Sequence, residues 1–310
     1  MKTWRNFIKK GSELGKPLSF LLYYPYSLHN YISPCPRIPV LMYHKVIRDF
    51  IPGKRLNYCV TEASFERQME HLARKGYRPL STHQYIESLY YEKPWPSKSL
   101  LITFDDGYSG VRRIAYPILK KYGFPAVAFV SCNFVGSDIL FPYDRHLEHL
   151  GKQVFPELLP LNWREATEIQ DLISIGSHTM SHVLLAPLSI EQIRYELAES
   201  KRVLEDKLGQ EVLSFSYPGG LRQHASFDTR TRQVLIDAGY RVAFNSEIGR
   251  NGLGSDRYLQ KRIVVENDDS ELLLSSKLAG SYDWARVAQW AFHLFYDSPA
   301  NSHKRRTRCS

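Results

Sequence analysis

Short apolar runs alternate with helical patterns along the chain from residue 38 onward. Ile38–Tyr43 (IPVLMY), Ser99–Phe104 (SLLITF), Pro125–Val130 (PAVAFV), Ile173–Ile175, Val212–Tyr217, Tyr240–Phe244 and Ile263–Val265 read as buried strands. Between them, Thr61 opens a helix that places Phe65, Met69, Leu72 and Ala73 on one face and closes at Gly76. Ser81 and Gln84 form a capping box for a second helix running to about Tyr91. Arg112–Tyr122 reads as a helix stopped by Gly123, with Pro117 expected to bend or shorten it. Further helices are expected over Trp163–Leu172, from Ser189 to Gly209 with Ile190, Ile193, Leu197, Leu204 and Leu208 inward, over Asp228–Ala238, and over Ser270–Leu278. Residues 131–160 show no period and hold Pro142, Pro156 and Pro160, which marks a long loop or insertion.

Repeated strand–helix alternation with buried-type strands predicts a parallel α/β sheet. Seven strands in roughly 230 residues suit an irregular (β/α) barrel better than the alternative, a doubly wound open sheet. The chain divides as an N-terminal basic amphipathic extension (1–37), the barrel (38–266), C-terminal helices (267–300) and a basic tail (301–310).

An apolar fraction of 43% across 310 residues excludes a wholly disordered chain, and no run of eighteen apolar residues is present to cross a membrane. The formal charge of +9 invites a nucleic-acid partner until it is located. Lys2, Arg5, Lys9, Lys10 and Lys16 against Glu13, and Lys304, Arg305, Arg306 and Arg308, account for almost all of it. The body is nearly neutral, so a nucleic-acid role is set aside. Trp4, Phe7, Ile8 and Leu14 lie at helical spacing opposite the N-terminal cations, a pattern suited to peripheral contact with an anionic membrane surface. The expected location is cytoplasmic or peripheral at the inner membrane, with export as the alternative, because Leu18–Tyr24 loosely imitates a signal sequence. Four scattered cysteines (Cys35, Cys59, Cys132, Cys309) exclude a zinc finger and a dense disulfide framework.

Chemistry-bearing residues fall where strands end. His44 follows the first strand, Asp105 and Asp106 the second, His178 and His182 (H-T-M-S-H) the fourth, and Pro218–Gly219 the fifth. Taken singly each is bland, since Asp-Gly is a common turn pair and paired histidines are frequent. Taken together they converge on one face, where parallel α/β folds build their sites. Asp106, His178 and His182 offer three ligands of the kind that hold Zn²⁺ and leave a position open, with Ni²⁺ and Co²⁺ as alternatives for the same donors. Asp105 points away from its neighbour on an extended backbone and is free to act as a general base.

T-F-D-D-G-Y (Thr103–Tyr108) with H-T-M-S-H (His178–His182) resembles the NodB-type polysaccharide deacetylases of carbohydrate esterase family 4. L-M-Y-H-K-V (Leu41–Val46) and S-Y-P-G-G (Ser216–Gly220) resemble the circularly permuted branch that includes poly-β-1,6-N-acetylglucosamine deacetylases. The resemblance implies a metal-dependent hydrolase that removes N-acetyl groups from an N-acetylhexosamine polysaccharide, oligosaccharide or glycolipid. It assigns Asp105 as base and Asp106, His178 and His182 as metal ligands. His44 is the acid, and Tyr217, Pro218 and Gly219 are the oxyanion and substrate loop. Two departures stand out. Where the family commonly has Arg-x-Pro-Tyr, this chain has Ser216, Tyr217, Pro218 and Gly219, so the arginine that orients the base is missing and Arg262 is the candidate substitute. The C-terminal Leu-x-x-His-Asp pattern is also absent, and His293 sits in a helical stripe better suited to packing. Alternatives on the same fold are an O-acetyl esterase, a cyclic-amide hydrolase, or an inactive carbohydrate-binding protein.

Overall fold

The structure is a computed structural model that describes residues 37–50, 56–150, 155–221, 226–281 and 283. The N-terminal extension, the stripe around His293 and the basic tail lie outside the described residues. Seven strands close a parallel barrel: β1 (Val40–Tyr43), β5 (Ser99–Phe104), β6 (Ala126–Val130), β7 (Ile173–Ser177), β8 (Ser214–Ser216), β9 (Val242–Ile248) and β10 (Gln260–Val264). β10 pairs with β1, and β1 pairs in turn with β5, which closes the ring. The barrel expected from the sequence is therefore the fold.

Three short strands were not expected. β2 (Lys45–Ile47) pairs in parallel with β3 (Cys59–Thr61), and β4 (Arg78–Pro79) adds to the start of β5. Runs of two or three residues are too short to show a period, which is why pattern reading passes over them.

Alternation along β5 sorts its side chains into two layers. Leu100, Ile102 and Phe104 pack outward with Phe65, Met69 and Leu72 of α1 (Glu62–Arg74). Leu101 joins Val40, Val127, Phe129, Val242 and Phe244 in a second cluster. Tyr85, Ile86 and Leu89 of α2 (Thr82–Tyr91) belong to that cluster, and the Tyr85 hydroxyl donates to Gln260 Oε1 of β10 at 2.5 Å. Gly176 of β7 makes room for it, because a Cβ there would lie 2.5 Å from the Phe129 ring.

The caps fall on the expected residues: Thr61, Ser81, Ser189, Asp228 and Ser270 each accept a backbone N–H of the first turn. Pro117 leaves its mark upstream. Val111–Ala115 winds as a π-turn before α3 (Tyr116–Tyr122), with the Tyr116 N–H bonded to Val111 O. Proline has no N–H to offer the carbonyl four residues back, so the register slips to the wider spacing. Two expectations need correction. α4 spans only Trp163–Glu168, because Ile169 ends it and its carbonyl accepts the N–H groups of Leu172 and Ile173 in a turn leading into β7. Residues 131–160 contain 3₁₀ turns at Cys132–Phe134, Arg145–Leu150 and Pro156–Leu158. The long inward helix is continuous in pattern but mixed in winding: α5 (Ile190–Arg194), a π-turn (Tyr195–Glu199) and α6 (Ser200–Leu208). α7 (Thr229–Asp237) and α8 (Glu271–Ala279) complete the shell. Among the described residues no helix is long and apolar enough to cross a membrane.

Candidate active site

The C-terminal ends of β1, β5, β7, β8 and β10 bring the sequence-selected residues together. Asp105 continues the β5 ladder, its N–H bonded to Tyr43 O at 3.0 Å. Asp106 then turns to φ 74° and Gly107 to φ 86°. A side chain at Gly107 would meet Val130 Cγ1 at 2.7 Å, so glycine is required there. Asp106 is one of the few residue types that tolerate the left-handed region. This turn gives the two carboxylates different partners, where simple strand alternation was expected to do so.

Asp105 is buried against a fully buried arginine. Arg262 Nη1 donates to Asp105 Oδ1 at 2.6 Å and Nη2 to Oδ2 at 2.7 Å, while Nε donates to Asn245 O at 2.7 Å. Arg262 sits on β10 two residues after Gln260, on the face turned toward Thr103 and Asp105, so its guanidinium reaches across β1. Ser216 stands where the family motif places its arginine, and its hydroxyl adds a longer bond to Asp105 Oδ2 at 3.3 Å. Burial pushes the Asp105 carboxyl up, but the Arg262 charge, with help from His178 and His44, outweighs it and holds the pKa below the usual range.

Asp106, His178 and His182 converge, their ligand atoms all within 4.8 Å of one another. His182 Nε2 lies 3.1 Å and His178 Nε2 3.5 Å from Asp106 Oδ1. His178 Nδ1 lies 2.7 Å from Ser216 O. A carbonyl oxygen only accepts, so Nδ1 carries a proton and Nε2 is the nitrogen turned toward the Asp106 carboxylate. With Nε2 unprotonated, the ring and the carboxylate would be two acceptors that a cation fits between. Donors on one metal with bonds of about 2.1 Å stand roughly 3–4 Å apart, which the 3.1 and 3.5 Å separations match. Burial raises the Asp106 pKa, yet its contacts with His178 and His182 bring it well below the usual range. Burial lowers the His182 pKa, and Asp106 more than reverses it.

The His178–His182 loop is held by a residue the sequence reading missed. Glu196 Oε2 accepts the N–H groups of Met180 (2.9 Å) and Ser181 (3.0 Å), and its Oε1 accepts the Ser181 hydroxyl (2.7 Å). Thr179 and His182 adopt φ of 70° and 57°, and the His182 N–H bonds to Thr179 Oγ1. The available signal was a carboxylate three residues after Ile193 and four before Ser200, on the buried side of the helix.

His44 lies between β1 and β2, with Nε2 3.9 Å from Asp105 Oδ2 and its ring stacked on Tyr58 (4.7 Å between centroids). Among the described residues its buried Nδ1 has no hydrogen-bond partner. Burial lowers the His44 pKa, and the opposing pull of Asp106 and Asp105 does not restore it. The loop after β8 is only partly as expected. The Tyr217 N–H is spent on Phe244 O (3.1 Å), and its ring stacks on Phe227 inside the core, so neither is free for an oxyanion. Pro218 has no N–H to offer. Gly219 turns to φ 71°.

Comparison with known proteins adds to this geometry. Residues 92–243 match the family model described as polysaccharide deacetylase. YxkH of Bacillus subtilis (strain 168), which carries a polysaccharide deacetylase name, is 30% identical over 229 residues, covering 74% of this chain and 71% of YxkH. The chain belongs to the polysaccharide deacetylase family. It is thus a hydrolase of amide carbon–nitrogen bonds. The poly-β-1,6-N-acetyl-D-glucosamine N-deacetylase of Staphylococcus aureus (strain MSSA476) is 28% identical over 70% of this chain and 71% of that protein. Among solved structures, the deacetylase PplD of Streptococcus pyogenes superposes with a TM-score of 0.66 at 23% identity, over 79% of this chain and 99% of PplD. IcaB from Ammonifex degensii gives 0.63 at 24% identity, over 78% of this chain and 97% of IcaB. These two show a shared deacetylase fold.

Proposed function

We propose that this polysaccharide deacetylase removes N-acetyl groups from a β-linked N-acetylglucosamine glycan, with a divalent cation held by Asp106, His178 and His182. One observation carries the reading: a buried carboxylate locked by Arg262 adjoins in sequence one member of that three-donor cluster and lies 3.9 Å from His44. The cation, with Zn²⁺ suited to the donors, supplies Lewis acidity that acidifies water and polarises a carbonyl. Asp105, charged at neutral pH, accepts the proton of the attacking water. The Gly219 N–H donates to the oxygen that gains negative charge. His44 rests neutral and stands 3.9 Å from Asp105. The proton taken up by Asp105 passes through His44 to the departing amine nitrogen. The carbon–nitrogen bond breaks, acetate leaves and a free amino sugar remains. Arg262 keeps Asp105 aimed, and ionised before it takes up the proton.

The test is acetate release from β-1,6-linked N-acetylglucosamine oligomers, with and without chelator. Asp105→Asn is expected to abolish turnover while elemental analysis still finds bound metal. Wild-type-like turnover in that variant, or turnover indifferent to chelator, sinks the reading.

A further inference from the structure

Beside the metal-ligand cluster stands an aromatic ring that the steps above do not use. Tyr143 lies in the 131–160 segment, with its ring centroid 5.5 Å from that of His182. Burial and the charge of the neighbouring Asp106 push its hydroxyl pKa up. The residue nevertheless remains 42% exposed at the mouth of a site whose other members are mostly buried.

An exposed aromatic side chain is ordinary; a braced one is not. The Tyr143 ring runs parallel to Phe141 (5.8 Å between centroids, 5° between planes). Phe141 is fully buried and packs in turn against Tyr108 (4.7 Å) and Phe134 (4.9 Å). The Lys45 ammonium sits 5.3 Å from the Tyr143 ring centre. The next residue, Asp144, is buried, pairs with Lys45 Nζ at 2.9 Å and accepts the Tyr108 hydroxyl at 2.6 Å. Lys45 directly follows His44, so the segment carrying Tyr143 is bolted to the strand immediately behind the proposed acid. A rigid aromatic side chain gives up little conformational freedom when a ligand covers it. On another part of the rim Leu184, 41% exposed, lies over Gly219, where an added Cβ would meet its Cδ2 at 3.2 Å.

We propose that Tyr143 is the sugar platform of this enzyme, a specificity-determining residue that packs on the C–H face of the pyranose ring whose acetamide reaches the metal cluster. The proposal rests on the glycan reading above. A pyranose offers an apolar face of axial hydrogens and a polar edge of hydroxyls. A fixed aromatic ring next to charged ligands accommodates the face and leaves the edge to water. An acyl substrate without a sugar has no such face, so the ring separates the two classes.

The experiment compares kcat/KM for β-1,6-linked N-acetylglucosamine oligomers with that for a small aliphatic acetate ester, in metal-loaded wild type and in Tyr143→Ala, Tyr143→Phe and Tyr143→Trp. The expected result is a fall of about tenfold in the oligomer-to-ester ratio for Tyr143→Ala, carried mainly by KM. Tyr143→Phe and Tyr143→Trp are expected to restore the ratio to within about threefold. A wild type active on oligomers whose ratio is unmoved in Tyr143→Ala overturns the platform alone. So does a loss that Phe and Trp fail to rescue, since the tyrosine hydroxyl and not the ring would then be what matters. A wild type that turns over the ester but no oligomer overturns the glycan reading and the platform with it.

Discussion

Arg262→Met tests the electrostatic core of the site. The side chain is fully buried, and its loss removes both short bonds to Asp105 and the bond to Asn245 O. What remains is a carboxylate deep in the barrel with a 3.3 Å serine hydroxyl as its main neutralising neighbour on that side. Removing one partner of a buried ion pair costs about 3–5 kcal/mol, a large share of a typical stability of roughly 5–15 kcal/mol. At about 2–4 °C per kcal/mol for a domain of this size, Tm should fall by roughly 6–20 °C. The deficit has a definite pH dependence. In wild type Asp105 has a depressed pKa, so its contribution is present above the unfolded-chain value of about 3.9 and disappears as pH falls through the folded pKa. Without Arg262, burial dominates and the folded pKa rises. The variant is then worst at neutral pH, and the deficit shrinks as pH falls toward about 4. Pairing it with Asp105→Asn removes the stranded charge, so the double variant should be more stable at pH 7 than Arg262→Met. Urea unfolding at pH 4, 5.5 and 7, for both singles and the double, completes the cycle. Additive losses, or a deficit that does not change with pH, would refute the reasoning.

Glu196→Ala should weaken metal binding by about 10–100-fold in chelator competition, because Met180, Ser181 and hence the two histidines lose their anchor. Glu196→Gln keeps an oxygen for the two N–H groups and should fall between; unchanged affinity in both variants counts against the anchor. Gly110→Ala places a Cβ 2.1 Å from Val46 O, a backbone atom that cannot swing aside. It should therefore cost at least the ~1–3 kcal/mol of overpacking, read as a lowered urea midpoint, and a wild-type midpoint contradicts the packing described. His178→Ala should abolish stoichiometric metal by elemental analysis, and metal retained at full occupancy argues against the ligand set.

What the sequence disclosed followed from period and punctuation. Buried strands announce themselves by short apolar runs, and Ser81, Ser189 and Asp228 announce helix starts by local hydrogen bonding that needs no tertiary partner. The placement of Asp105, Asp106, His178 and His182 at one barrel mouth followed because every strand end of a parallel barrel faces the same way. Arg262 could be nominated but not placed, because its bond to Asp105 crosses the intervening β1 and depends on the order of strands around the ring. Glu196 and the Lys45–Asp144 pair were invisible for another reason. Their value comes from what they touch across 15 and 99 residues of chain, while their local pattern is that of ordinary helix and loop polar groups. That the Tyr217 N–H is taken up by the sheet ladder was not legible either, because ladder register is a property of the neighbouring strand.

The pairing of Asp105 with Arg262 joins residues 157 positions apart, one from the second barrel strand in sequence and the other from the last. The strand that closes the cylinder against β1 is thus also the one that brings Asp105 its counter-charge. A chain clipped ahead of residue 260 would retain T-F-D-D-G-Y and H-T-M-S-H yet leave Asp105 without the guanidinium that pairs with it.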